Sequence, residues 1–134
     1  MAGEKKVVDA SVLAKCFLKE PDSEKALQLV EDHINGKHLM IVPELIFFEV
    51  LNAVKYKLKL DPVKLAETGH KLADLQLHVE RVNNFLLAKI GELASRYNIT
   101  VYDAAYIAVA ELHNTSVITA DEKWSRKGIQ VNTL

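Results

Sequence analysis

The chain has 134 residues, a length that fits one compact domain, residues 1–134, burying roughly two thirds of the surface its unfolded form exposes. Its 49% hydrophobic and 26% charged residues are ordinary for a folded protein, and the formal net charge of −1 lacks the basic excess of most nucleic-acid binders. A single cysteine, Cys16, excludes an internal disulfide and any Cys-based metal site.

The polar first residues run directly into a strand-like segment, and Glu44, Glu49 and Asn52 interrupt the most apolar stretch. Neither a secretory signal nor a membrane span is therefore expected, and the lone cysteine suits a reducing, cytoplasmic setting.

Lys6 to Ala10 reads as a short strand, and Ser11 to Leu18 has helical apolar spacing. Asp22 or Ser23 then caps a helix that Gly36 closes. His38–Val42 is a second strand, and Pro43 is placed where a helix to about Leu58 begins. In that helix Phe47, Phe48 and Tyr56 are read as core, with self-association through an exposed remainder as the alternative. Asp61-Pro62 opens another helix, to about Gln76, and Leu77–Val82 alternates as a third strand. Asn83 or Asn84 caps a helix through Arg96, and a further one runs from Tyr102 to His113. Ser116–Thr119 is a fourth strand and Ile129–Val131 a possible fifth. Strands alternating with helices predict an α/β fold, a three-layer α/β/α domain around a mostly parallel sheet of four or five strands.

Four acids stand out on this frame. Asp9 closes the first strand and Asp121 follows the fourth, and open α/β sheets bind ligands outside the carboxyl ends of their strands. Each is equally suited to capping the helix after it. Glu49 has Leu45, Ile46, Asn52 and Ala53 as its helical neighbours, and a carboxylate there is costly unless paired or metal-bound. Asn52, one turn on, is placed to orient it. Asp103 shares a capping-box spacing with Thr100 and opens an apolar helix. Four clustered carboxylates repel one another, and a hard divalent ion such as Mg²⁺ or Mn²⁺ resolves the repulsion while leaving positions for water and phosphate.

Other chemistries find no support. The five histidines lack ligand spacing, no glycine-rich phosphate loop exists, and Ser11 has no partner histidine. Lysine and arginine cluster at Lys15 and Lys19, at Lys55, Lys57 and Lys59, and at Lys123, Arg126 and Lys127. Such clusters are usually solvated faces, but Lys15, Lys123 and Arg126 are candidates for contacting the phosphates of a ligand.

The segments Val7-Val8-Asp9-Ala10-Ser11, Phe48-Glu49-Val50-Leu51-Asn52-Ala53, Tyr102-Asp103-Ala104-Ala105 and Ile118-Thr119-Ala120-Asp121 occur in this order across almost the whole chain. In them the sequence resembles PIN-domain proteins, in particular the VapC-type toxins of toxin–antitoxin pairs. The resemblance implies a Mg²⁺- or Mn²⁺-dependent endoribonuclease with Asp9, Glu49, Asp103 and Asp121 as catalytic and metal-binding acids and Ser11 and Thr119 as supporting hydroxyls beside them, and the helical position of Asn52 adds it to the supporting residues. It further implies an RNA substrate, a small antitoxin partner, and a homodimer or higher homo-oligomer. Two alternatives stay open: a PIN nuclease of RNA processing without an antitoxin, and a PIN-like binding module.

Overall fold

The computed structural model describes residues 3–134. Five strands form one sheet: β1 (Glu4–Val8), β2 (His38–Pro43), β3 (His78–Glu80), β4 (Val117–Thr119) and β5 (Val131–Thr133). Their order is β3-β2-β1-β4-β5 and every neighbouring pair is parallel. Parallel neighbours require crossovers, and the helices supply them. The order grows to one side of β1 through β2 and β3, then to the other through β4 and β5. The switch point therefore lies between the carboxyl ends of β1 and β4.

The helices are α1 (Ala10–Leu13), which continues as a 3₁₀ turn over Ala14–Cys16, then α2 (Ser23–Ile34), α3 (Leu45–Leu58), α4 (Pro62–Asp74), α5 (Asn84–Tyr97), α6 (Val101–Leu112) and α7 (Lys123–Arg126). Their ends follow local chemistry. Asp61, Asn83 and Thr100 each accept a hydrogen bond from a backbone N–H in the first turn of the helix they precede. Gly36, just beyond α2, takes φ +78, a left-handed turn that glycine makes without cost.

Four sequence expectations are corrected. Pro43 ends β2, paired with Glu80, rather than opening α3; at a strand's last residue its missing N–H does little harm. The first predicted helix is only one α turn and one 3₁₀ turn. The last strand is displaced to Val131–Thr133, where it pairs with β4 residue by residue. Phe48 and Tyr56 are exposed, at 69% and 68%, so of the three aromatics on α3 only Phe47 packs against the core.

The core is held from both sides of the sheet. Val7, Val8, Met40, Ile41, Val42 and Val117 are fully or nearly fully buried, as parallel strands covered on both faces require. In α6 every residue from Ala104 to Ala110 is buried. A helix buried all round must pack on two sides, and α6 lies between the sheet and α5, its alanines permitting close approach. This rigid central helix carries Asp103 in its first turn, at the same end of the molecule as the carboxyl ends of β1 and β4.

Candidate active site

Asp9 follows β1 directly and is only 5% exposed. It caps α1, its Oδ1 accepting the Val12 N–H at 3.2 Å. Two hydroxyls complete its shell: Ser11 donates to Oδ1 and Thr119 to Oδ2, each at 2.5 Å. These hydroxyls are held in turn, since the Ala120 N–H donates to Ser11 Oγ and the Asp121 N–H to Thr119 Oγ1, both at 3.0 Å. The chain after β4 is thus tied to the chain after β1 through a buried carboxylate. Burial raises the Asp9 pKa, and the hydrogen bonds from Ser11 and Thr119 offset only part of that rise.

Glu49 is half-buried on α3, and Tyr106, one turn beyond Asp103 on α6, donates its hydroxyl to Glu49 Oε1 at 2.5 Å. Burial raises the Glu49 pKa most, and the charges of Asp103 and Asp9 push it the same way. Among the described residues Glu49 is thus oriented by Tyr106, whereas Asn52 lies exposed one turn on. The Tyr106 ring is 1% exposed and packs at 6.5 Å against the buried Trp124 of α7, so the hydroxyl has little freedom.

Asp103 is not spent on its helix. Thr100 accepts the Asp103 N–H at 3.1 Å, and the Asp103 carboxylate reaches the Lys123 ammonium at 3.1 Å. The same ammonium stands 3.4 Å from Asp121 Oδ2, while Asp121 Oδ1 accepts the Lys123 N–H at 3.0 Å. Partial burial alone would lower the Lys123 pKa, but the hydrogen bond and charge of Asp103, followed by the charge of Asp121, raise it.

Three of the acids are linked by contacts, Asp9 to Asp121 through Thr119 and Asp121 to Asp103 through Lys123, and Glu49 lines the same groove as Ser11 and Asp121. Among the described residues no three acidic, His or Cys side chains stand as a ready-made metal cage. The group nevertheless fits a hard divalent ion, because every donor is oxygen and a cation is already drawn between two of the acids. An open groove of about 600 Å³ is lined by Ser11, Glu49 and Asp121 together with Lys15, Lys57 and Arg126 and the acids Glu20 and Glu122.

The basic residues differ in availability. Arg126 is 76% exposed, with Glu122 at 3.7 Å. Lys15 is committed to the Pro21 carbonyl at 2.9 Å and to Glu20 at 3.6 Å. Lys57, from the cluster at the end of α3, shares Glu20 with it at 2.5 Å. Tyr106 escaped sequence reading because an aromatic in a smooth apolar helix looks like core. Its position three residues after Asp103, on the same helical face, is the signal that could have found it.

Comparison with known proteins agrees with this architecture. Ribonuclease VapC3 of Pyrobaculum aerophilum is 28% identical over 127 residues, covering 92% of this chain and 94% of that protein. The structure of PAE2754, also from Pyrobaculum aerophilum, superposes with a TM-score of 0.68 at 22% identity, covering 99% of this chain and 92% of the other. VapBC2 from Rickettsia felis, bound to a DNA fragment from its promoter, gives 0.68 at 14% identity, with 96% and 98% covered. The sequence signature of the PIN domain matches residues 6–130, which carry all four acids, and the chain belongs to the PIN domain family.

Proposed function

We propose that the protein is a Mg²⁺- or Mn²⁺-dependent endoribonuclease, the toxin of a toxin–antitoxin pair, working inside the cell. The observation that carries this reading is the convergence of Asp9, Glu49, Asp103 and Asp121 at the switch point of the sheet, beside an open groove with basic residues along it. A ribonuclease among its relatives and a toxin–antitoxin complex among its structural neighbours support the substrate and the antitoxin partner. No helix among the described residues is long and apolar enough to cross a membrane.

The four acids would hold the ion, which when bound polarises a phosphate and activates water for attack. The chain's own groups prepare for this. Ser11 and Thr119 fix both oxygens of Asp9, so the carboxylate needs no reorganisation, and Tyr106 fixes one oxygen of Glu49 and leaves the other free. Arg126, exposed on the groove, would receive flanking phosphates. Phe48, Val82, Phe85 and Tyr102 are each more than 60% exposed, and apolar groups so placed suit contact with a second copy or with an antitoxin segment.

One assay tests the activity and the role of Tyr106 together. Purified protein should cleave single-stranded RNA with Mg²⁺ or Mn²⁺ and stop on addition of EDTA. Tyr106→Phe should cleave roughly tenfold more slowly, the usual cost of losing a group that orients a metal ligand. Cleavage that persists in EDTA would overturn the metal requirement, and an unchanged rate for Tyr106→Phe would show that Glu49 needs no such support.

A further inference from the structure

Lys123 has a position that substrate contact alone does not explain. Its ammonium bridges carboxylates from two separate elements, Asp103 in the first turn of α6 and Asp121 in the loop after β4. Asp121 grips the residue at both ends, its Oδ1 taking the backbone N–H and its Oδ2 facing the ammonium. The neighbouring cations are turned elsewhere, Arg126 toward Glu122 and Lys15 toward Glu20 and the Pro21 carbonyl.

The side chain is nonetheless free to leave. Its exposure is 49%, and the turn that carries it is anchored by the adjacent Trp124, which is 2% exposed. The four-carbon stem can swing the ammonium outward without disturbing that anchor. A divalent ion and a lysine ammonium both seek these carboxylate oxygens, and at such short range two cations repel strongly. Occupancy by one must weaken occupancy by the other.

We propose that Lys123 is a built-in cation of the acid cluster, which neutralises Asp103 and Asp121 until a divalent ion takes them and then turns to the RNA phosphate. This inference rests on the nuclease reading above and adds a positioning residue to it. It accounts for two acids being held close together before any metal arrives, and it makes ion entry and phosphate capture parts of one exchange.

The test compares wild type, Lys123→Met and Lys123→Arg, with equal thermal unfolding of the three as the control for folding. Mn²⁺ affinity is measured by electron paramagnetic resonance without RNA. Binding of a nonhydrolysable single-stranded RNA analogue is measured at several salt concentrations with saturating Mn²⁺ and all four acids intact. Lys123→Met should bind Mn²⁺ about three- to tenfold more tightly, because a half-exposed competing charge is gone. Lys123→Arg should stay near wild type. RNA binding by Lys123→Met should weaken, with its logarithmic salt slope reduced by about 0.7, one phosphate contact on a single strand. Unchanged or weaker Mn²⁺ binding by Lys123→Met, where wild type binds normally, overturns the proposal and leaves the nuclease reading standing. Tighter Mn²⁺ binding with unaltered RNA binding overturns the turn to phosphate. Absence of Mn²⁺ binding in every variant overturns both.

Discussion

Asp9→Asn is expected to reduce RNA cleavage by at least about 100-fold while leaving the metal-free protein as stable as wild type, or more so. The loss of activity follows from position: Asp9 is the most buried of the four acids and its two oxygens are the best fixed. The stability follows from the sign of its pKa shift. Burial raises the folded-state value above the ordinary 3.8, so between the two values the folded protein binds more protons than the unfolded chain. Stability is therefore gained as pH falls through that window and lost as pH rises through the folded value. An ionised Asp9 at neutral pH is a cost that the hydroxyls of Ser11 and Thr119 meet only in part. Asparagine removes the charge and keeps the shape. Thermal unfolding at pH 7 and at pH 4 measures this, and the advantage of Asp9→Asn should shrink at the lower pH. A variant several degrees less stable than wild type at pH 7 would show that the carboxylate is structural. Because the Glu49 pKa is raised as well, cleavage should fall on acidification at a pH above the ordinary carboxylate range, and saturating metal should move that fall lower.

The second large effect is on the fold. Trp124→Ala should destabilise the protein by about 3–5 kcal/mol, the usual cost of emptying a buried aromatic site, and lower the melting temperature by roughly 10–20 °C. Trp124 is 2% exposed and tilts against the Tyr106 ring at 52°. It is what holds α7, a helix of four residues with no stability of its own, onto the core. Cleavage should fall together with stability even at low temperature, because Lys123 and Asp121 immediately precede the anchor and Tyr106 loses its wall. Trp124→Phe should keep most of both properties. A melting temperature within about two degrees of wild type for Trp124→Ala would mean that α7 is held by other contacts.

Much of this was readable from residue order, for physical reasons that also explain what was not. Asp9 and Asp121 could be placed because a strand's end is visible in its hydrophobic pattern and the parallel fold fixes which end binds ligands. Glu49 showed itself as a charge in an apolar helix, and Thr100 as a cap before Asp103. Pro43 misled because proline suits both the first turn of a helix and the last residue of a strand, and only pairing with Glu80 decides between them. The fifth strand slipped by two residues because three-residue strands take their register from a neighbour, here β4, rather than from their own pattern. Phe48 and Tyr56 could not be told from core, since helical spacing shows which residues share a face and not whether anything covers it. Tyr106 and the ion pairs of Lys123 were hidden for a different reason. Each acts through a side chain more than 15 residues away in sequence, Glu49 for one and Asp103 for the other, and such partners meet only once the sheet has set the helices in place.

The central claim is that Asp9, Glu49, Asp103 and Asp121 share a divalent ion. Crystals grown with Mn²⁺ and measured on both sides of its absorption edge test this most directly. An anomalous peak is expected among these four carboxylates, with the Lys123 ammonium withdrawn from Asp103. A protein saturated with Mn²⁺ that shows no peak there, or a peak bounded by other residues, would contradict it.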